Sequence, residues 1–256
     1  MKSLSGSLIF VLLLIIFGGC MGKGSGKKGS NAEADTVSVP DTGYTGIKQY
    51  MSSGLLLKEV TFKNGIRQGL TKTYYPGGQL YQTFWYENGM RQDSGRWYYQ
   101  QGQLFRATPY RNDTIDGIQK QYYMSGELRA KIGYEKGLRT TLLEEYTKSG
   151  RLVTGYPEIV VNIRDEYKTA GRYRINLEFS NKGSRAWFYR GDFINGRFDS
   201  TMCTPIKTVN GVGTIVLRKT GSPKTGFIGV IGSIYTSFGN RYLTSKKIEL
   251  PYNDLN

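Results

Sequence analysis

The unit that decides the fold reads Tyr74-Tyr75-Pro76-Gly77-Gly78-Gln79-Leu80-Tyr81-Gln82-Thr83-Phe84-Trp85-Tyr86-Glu87-Asn88-Gly89. It begins with a turn that contains proline and glycine, continues as an extended run, and ends in an Asn-Gly pair. An Asn-Gly pair supplies the positive φ that a two-residue hairpin turn requires. Every second side chain of the run lies on one face of a strand. In this unit that face carries Leu80, Gln82, Phe84 and Tyr86.

The unit recurs every 24 residues without a slip, so the chain contains an internal repeat. The aligned tyrosines are Tyr50, Tyr74, Tyr98, Tyr122 and Tyr146. Four residues later lie Gly54, Gly78, Gly102, Gly126 and Gly150, and six residues later lie Leu56, Leu80, Leu104, Leu128 and Leu152. Twelve residues later lie Phe62, Tyr86, Tyr110 and Tyr134, and Glu158 then breaks the pattern. The second-turn pairs are Asn64-Gly65, Asn88-Gly89, Asn112-Asp113 and Lys136-Gly137. This period predicts hairpin units that need their neighbours to bury one face.

The repeat resembles the bacterial variant of MORN repeats over residues 50 to about 154. The stretches that carry the resemblance are Phe62-Lys63-Asn64-Gly65-Ile66-Arg67-Gln68-Gly69 and Tyr74-Tyr75-Pro76-Gly77-Gly78-Gln79-Leu80. Departures are Asp113 and Pro109 in the third copy and Thr140-Thr141 in the fourth, which we expect to be less regular. The resemblance implies an elongated sheet used as a scaffold or binding surface, with no family-wide catalytic residues. Some relatives are similar to antitoxin or immunity proteins of secreted toxins.

From Tyr156 onward the period is absent, and alternating apolar runs replace it. The runs cover residues 159–163, 173–179, 186–189, 213–217, 226–231, 241–243 and 247–250. About seven short strands separated by turn residues predict a β-sandwich, with an immunoglobulin-like arrangement as one form of it. No Cys…Trp…Cys spacing supports a true immunoglobulin domain. The predicted fold class is all-β: an elongated antiparallel sheet of hairpin repeats at 46–155, then a β-sandwich at 156–256.

The first twenty residues have the features of an export signal. Lys2 precedes an uninterrupted apolar run at 8–17, which is too short to span a bilayer comfortably but has the length of a signal-peptide core. Gly18-Gly19 then precede Cys20, an order that resembles the lipobox of bacterial lipoproteins, although Phe17 stands where that family usually has Leu. The resemblance implies a lipoprotein signal peptide at 1–19 and a lipid anchor on Cys20. The alternatives are a secretory signal with an incidental Cys and an uncleaved anchor helix.

Residues 20–45 differ sharply in composition from the repeats. The stretch after Cys20 is rich in Gly, Ser and Lys, which predicts a flexible basic tether. Surface-exported lipoproteins of some Gram-negative groups carry acidic residues directly after the Cys, whereas the early residues here are basic. The sequence therefore favours the outer membrane, facing the periplasm, with the membrane as a partner through the lipid.

The composition argues against catalysis. Histidine is absent from the 256 residues, so the most common general base is missing. Carboxylates are adjacent at Glu144-Glu145 and Asp165-Glu166, but adjacent residues on a strand face opposite ways. If Cys20 is lipidated, Cys203 has no intramolecular partner, and we interpret it as a small buried hydrophobe. We predict no catalytic residue, no metal, no cofactor and no small-molecule substrate.

The chain is basic throughout, with 35 Lys and Arg against 20 Asp and Glu and a formal net charge of +15. A nucleic-acid-binding protein would concentrate Lys and Arg on one element. Because the charge is spread, we interpret it as a solvated basic surface with loose attraction to anionic polymers or lipid headgroups. We predict no nucleic-acid partner.

The aromatic residues fall into two groups. The aligned tyrosines fit a structural ladder, with packed rings and hydroxyls at the rim, although a carbohydrate-stacking strip is the alternative. The aromatics that the repeat itself does not require are the candidate binding surface: Tyr81, Trp85, Trp97, Tyr99 and Phe105.

Three functions fit these observations. The first is a lipid-anchored envelope scaffold that docks an unknown protein or envelope polymer. The second is an immunity protein that neutralises a toxin, and the third is a peptidoglycan- or glycan-binding lipoprotein.

Overall fold

The computed structural model describes residues 43–223 and 226–256, which form a nearly all-β protein within one compact unit. The predicted signal peptide, Cys20 and the predicted tether up to residue 42 lie outside the described residues. Among the helices of the described part, none is long and apolar enough to cross a membrane. What the structure defines is the repeat array and the chain that follows it.

Ten strands of the repeat array form one antiparallel sheet, most of them paired with their neighbours in sequence. They are β1 (Gly46–Ser52), β2 (Leu55–Lys63), β3 (Ile66–Tyr74), β4 (Leu80–Glu87), β5 (Met90–Tyr98), β6 (Leu104–Arg111), β7 (Thr114–Ile115), β8 (Gly117–Tyr122), β9 (Leu128–Glu135) and β10 (Leu138–Glu145). An eleventh strand at Arg197–Phe198 joins the edge beside β10. The predicted long sheet of hairpin repeats is confirmed.

Both kinds of predicted turn adopt the expected backbone, and in the first turn Gly78 has φ of +84°. Asn88 and Gly89 have φ of +50° and +84°, as a type I′ hairpin turn requires. In the third copy Asp113 replaces glycine yet keeps φ at +63°, because Asp is one of the few residues that visit this region. Its carboxylate also accepts hydrogen bonds from Arg91 Nε at 2.8 Å and from Arg91 N at 2.9 Å. This ion pair with the preceding unit fixes the turn that has lost its glycine.

Of the two copies expected to be irregular, the third differs from the others and the fourth does not. The pairing of β10 with β9 shifts register between Arg139 and Leu143, but β3 against β2 and β5 against β4 shift in the same way, so this bulge recurs with the repeat. In the third copy the strand after the second turn is split into β7 and β8. There Asp116 N donates a hydrogen bond to the Pro109 carbonyl at 3.1 Å.

The first copy contains a slip that the sequence does not show. Tyr74 pairs with Leu80, and the later aligned tyrosines pair in the same way with the leucine six residues on. Tyr50 instead pairs with Lys58. The tyrosine column is unbroken in sequence, but the first hairpin is shifted in register.

The sheet has two faces of different character, which we call the packed face and the open face. The packed face carries Val60, Phe62, Thr71, Tyr86, Trp97, Thr108, Ala130 and Ile132, all at most 9% exposed. The open face carries, as successive cross-strand partners, Glu59, Lys72, Thr83, Arg96, Ala107, Lys120, Lys131 and Glu144. On the packed face the ring of Phe84 lies so close over Gly95 that a Cβ there would come within 2.5 Å of it. The predicted alternation of faces is confirmed.

The chain after the array folds into two four-stranded sheets. Its elements are β11 (Ile159–Glu166), α1 (Tyr167–Ala170), β12 (Arg172–Phe179), β13 (Ala186–Arg190), β14 (Arg197–Phe198), a 3₁₀ turn (Ser200–Met202), β15 (Thr204–Ile206), β16 (Thr208–Val209), β17 (Val212–Arg218), β18 (Phe227–Tyr235) and β19 (Arg241–Glu249). The strand orders are β11-β12-β17-β16 and β15-β13-β18-β19. In immunoglobulin lettering these are A-B-E-D and C′-C-F-G. The sandwich is therefore immunoglobulin-like.

One apolar core joins the two sheets of the sandwich. In β12 every second residue is buried, and Phe179 stacks on Phe188 of β13 with ring centroids 5.3 Å apart. Strand β18 is buried along nearly its whole length, because a second cluster that includes Phe198 and Ile231 covers its other side. Cys203 packs at the edge of this cluster, and burial raises the pKa of its thiol. Cys203 therefore packs as a small hydrophobe, but it is half-buried and not fully buried as predicted.

Candidate binding surface of the repeat array

The five candidate aromatic side chains do not form one exposed surface. Trp97 lies on the packed face, 9% exposed, with the Arg106 guanidinium 4.0 Å from its ring centroid. Tyr81 and Phe105 occupy equivalent positions in successive copies, and each packs edge-on against a turn tyrosine, at 4.9 and 5.2 Å between centroids. Trp85 lies on the open face and is 42% exposed.

Tyr99 belongs to a ladder that the repeat does require. Its hydroxyl donates to the Tyr122 carbonyl at 2.9 Å, which reaches into the following copy. The equivalent Tyr75 and Tyr123 hydroxyls donate to the carbonyls of Tyr98 and Tyr146, both at 2.7 Å. Each bond therefore ties the turn of one copy to the strand end of the next. The Tyr-Tyr dipeptides that recur with the repeat period were the sequence signal for this ladder.

A basic column on the open face was missed by the sequence analysis. Lys72, Arg96 and Lys120 are spaced by one repeat period, each two residues before an aligned tyrosine. In the sheet they are separated by one strand each, with Thr83 and Ala107 between them. Since adjacent strands lie about 4.8 Å apart, the cations recur about every 9.6 Å across the sheet. The signal is present in the sequence, as a Lys or Arg two residues before successive aligned tyrosines.

The first copy carries its own carboxylate beside the cation of this column. Glu59 pairs with Lys72 at 3.5 Å and accepts a hydrogen bond from the Tyr74 hydroxyl at 2.6 Å. The Tyr74 hydrogen bond, with further help from Gln49 and Lys72, holds the pKa of Glu59 below its ordinary value. Burial, together with the hydrogen bond to Glu59, raises the pKa of Tyr74 to about 12. The stabilisation from Glu59 is therefore present at neutral pH and is lost as the pH falls through its lowered pKa.

The last copy also has a carboxylate, a cation and a tyrosine hydroxyl together, but the carboxylate and the cation have exchanged strands. Glu144 accepts a hydrogen bond from the Tyr146 hydroxyl at 2.6 Å and pairs with Lys131 at 2.9 Å. The Tyr146 hydroxyl and Lys131 hold the pKa of Glu144 below its ordinary value. In both end copies, then, an acid, a base and a phenol lie together on the open face.

Apolar side chains border the basic column on the side of the Asn-Gly turns. They are Leu70, Trp85 and Ile118, which are 38%, 42% and 47% exposed. Leu70 and Trp85 are direct cross-strand partners, and Ile118 lies two residues before Lys120 on the same face. The open face thus combines cations with exposed apolar groups, a composition suited to binding a protein.

The packed face is covered at its C-terminal end by the loop between β18 and β19. Glu145 is fully buried there and accepts hydrogen bonds from Thr236 Oγ1 and Asn240 Nδ2, both at 2.7 Å, and from the Tyr156 hydroxyl at 3.3 Å. Burial and the nearby Glu145 raise the pKa of Tyr156. A cleft of about 210 Å³ opens beside these groups. Among the described residues that line it, Glu145 alone carries a carboxylate. Because Thr236 and Asn240 belong to the loop and Glu145 to β10, these hydrogen bonds join two parts of the fold.

Further hydrogen bonds extend this junction along the loop. Gln121 Nε2 donates to Asn240 Oδ1 at 2.9 Å, and Arg129 donates to the Phe238 carbonyl at 2.6 Å. Arg139 donates to the Arg241 carbonyl at 3.0 Å. The β18–β19 loop therefore covers the packed face of the last copies. On their open face, the side chains of Lys131 and Glu144 remain 32% and 36% exposed.

No family model, curated protein or solved structure matches this chain. Within residues 43–223 and 226–256, no group of three or more His, Cys, Asp and Glu side chains is placed to hold a metal ion.

Proposed function

We propose that this protein is a non-catalytic scaffold of the cell envelope, anchored by a lipid on Cys20 and binding a protein or envelope polymer through the open face of its repeats. The proposal includes membership among MORN-like repeat proteins, which rests on the repeated unit and its paired turns. It also includes attachment to the outer membrane on the periplasmic side, which rests on the signal-like N-terminus and its basic tether.

The observation that supports the proposal is that the packed face and the open face of the repeat sheet differ in what covers them. The packed face is filled by its own side chains and, at one end, by the sandwich loop. The strand at Arg197–Phe198 also pairs with β10 and so caps that edge of the sheet. The open face retains a basic column and exposed apolar groups that these contacts do not use. A surface of this kind on a rigid sheet is suited to docking a partner.

The anchor predicts a change in fractionation. Wild-type protein should sediment with membranes and incorporate labelled fatty acid, whereas Cys20→Ala should be unlabelled and leave the membrane fraction. The physical reason is that acyl chains provide about 0.8 kcal/mol of membrane affinity for each buried methylene group. Cys203→Ala is the matched control and should behave as wild type. Absence of label from the wild-type protein would contradict the anchor.

The docking surface predicts where a partner can be captured. A photo-crosslinking residue at Ile118, on the open face, should yield a defined adduct in cells. The same residue at Met202, which is 66% exposed but lies outside the array, should not yield that adduct. Identification of the adduct distinguishes a toxin from an envelope protein or a glycan polymer. Equal adducts from the two positions, or none from Ile118, would contradict docking through the open face.

A further inference from the structure

We infer that the two inner copies of the repeat form a pair of carboxylate-binding sites, Arg96 with Tyr98 and Lys120 with Tyr122, which bind an acidic segment of a partner protein. This inference rests on the proposed function, because it names the chemistry of the partner that the open face takes.

The end copies show what the inner copies lack. In the first copy, a cation and a phenol hold the carboxylate of Glu59, with Lys72 at 3.5 Å and the Tyr74 hydroxyl at 2.6 Å. In the last copy, Lys131 and the Tyr146 hydroxyl hold Glu144 at 2.9 and 2.6 Å. The fold thus places a base and a tyrosine hydroxyl within reach of one carboxylate, and it does so twice.

The inner copies keep the cation and the phenol but have no acid between them. Thr83 and Ala107 stand where the first copy has Glu59, so neither inner copy has a carboxylate of its own at that position. Thr83 is only 7% exposed, so an incoming carboxylate would lie above it, beside the cations. In the part of the chain that the structure describes, Arg96 and Lys120 form no ion pair, and Arg96 Nη1 donates to the Ser94 carbonyl at 3.4 Å, a bond that an incoming carboxylate would replace. Both side chains are exposed. A carboxylate from outside would therefore complete each site as Glu59 completes the first.

The neighbourhood of Lys120 strengthens the argument. Its direct cross-strand partner is Lys131, which is itself paired with Glu144. Like charges directly opposite each other destabilise a sheet. An incoming anion beside Lys120 would offset that repulsion, which gives the second site an added preference for negative charge.

Spacing and surroundings favour an acidic protein segment over a charged polymer. Arg96 and Lys120 lie two strands apart, or about 9.6 Å. A peptide in the polyproline II conformation has three residues per turn and rises about 3.1 Å per residue, so side chains three positions apart lie on one face, about 9.3 Å from each other. Two acidic side chains at this spacing can therefore reach both sites. Leu70, Trp85 and Ile118 lie beside the two sites, on the side of the Asn-Gly turns, and are exposed. They would contact apolar side chains of the same segment, which a phosphate polymer or glycan does not provide.

The test uses the full chain in neutral detergent and a synthetic peptide that adopts the polyproline II conformation. The peptide carries two glutamates three positions apart with prolines between them, and its partner peptide carries glutamines instead. The glutamate peptide should bind at least 10-fold more tightly than the glutamine peptide, with strong salt dependence, because the sites are exposed. Equal binding of the two peptides would overturn the inference.

Substitutions that place carboxylates of the protein itself in the two sites should block the peptide. The double substitution Thr83→Glu/Ala107→Glu supplies both missing carboxylates and should weaken binding of the glutamate peptide at least 10-fold. The matched control is Ile163→Glu/Val216→Glu, which adds the same charge at exposed positions of the sandwich and should bind nearly as wild type. Melting curves and near-ultraviolet circular dichroism establish that both variants are folded. Undiminished binding by folded Thr83→Glu/Ala107→Glu would overturn the inference.

The converse variant should open a third site. Glu59→Thr frees Lys72 and Tyr74, so a peptide with three glutamates at the same spacing should bind this variant severalfold more tightly than wild type.

Inorganic polyphosphate and soluble peptidoglycan fragments serve as competitors of the peptide. If either competitor binds more tightly than the peptide, and Thr83→Glu/Ala107→Glu abolishes that binding, the assignment to a protein segment is overturned. If no peptide binds although crosslinking at Ile118 succeeds, the inference is refuted and the proposed function stands.

Discussion

Glu145→Ala should destabilise the protein by about 3–5 kcal/mol and release the β18–β19 loop from the repeat sheet. The substitution leaves the Thr236 hydroxyl, the Asn240 amide and the Tyr156 hydroxyl without their acceptor in a buried place. Each buried polar group left unpaired costs about 1–3 kcal/mol, and a cavity adds to that cost. Urea unfolding measures the loss of stability, and amide hydrogen exchange at residues 236–241 measures the release.

The neighbouring glutamate provides the matched control. Glu144 lies on the open face and pairs with Lys131 there, so Glu144→Ala should have little effect on stability or on exchange in the loop. Glu145→Gln keeps an acceptor of the same shape and should be much milder than Glu145→Ala. If Glu144→Ala and Glu145→Ala destabilise the protein equally, the junction does not depend on the buried carboxylate.

These two glutamates also show how far the sequence could be interpreted. Their adjacency on a strand predicts that they face opposite ways, and the structure has one on each face. The loop partners of Glu145 are Thr236 and Asn240, which are remote from it in sequence, and no local pattern connects them. Long-range contacts of this kind depend on the docking of one part of the fold on another, which a periodicity analysis does not address.

The repeat array was the most predictable part of the fold. Its turns need positive φ, and Asn-Gly pairs and turn glycines supply it, so the positions of the hairpins follow from residue type. The short strands β15 and β16 were missed, because two or three residues such as Thr208–Val209 show no alternation. The register slip at Tyr50 was also missed, because the edge hairpin is paired on one side only.

The candidate site was less predictable, because absence from the aligned columns does not separate ligand-binding aromatic residues from packed ones. Tyr99 is among the predicted ligand candidates, although the tyrosines one position after the aligned column form a ladder of their own. The basic column at Lys72, Arg96 and Lys120 follows the same period and was visible in the sequence. What could not be predicted is which of its members have an acid nearby, because that depends on cross-strand register.

Deletion of residues 83–106 should yield a folded protein with a shorter sheet, because it removes one whole repeat period and both of its ends lie within strands. The hybrid strand joins Gln82 to Ala107 and keeps the alternation, so Thr108 and Tyr110 stay on the packed face. Tyr110 would then lie opposite Gly69, as Tyr86 does in the intact sheet. Near-ultraviolet circular dichroism and a cooperative melting transition measure whether a specific fold is retained.

Deletion of residues 83–107 removes one residue more and should abolish that fold. Thr108 then follows Gln82 directly, so the remainder of the hybrid strand turns its packed-face side chains outward. Moving Tyr110 alone out of its half-buried site costs on the order of 1–2 kcal/mol, and every later pairing in the array must shift or bulge as well. Because each unit is stabilised only by its neighbours, the error is not confined to one hairpin. Equal melting behaviour of the two deletions would show that register is not what holds the array together.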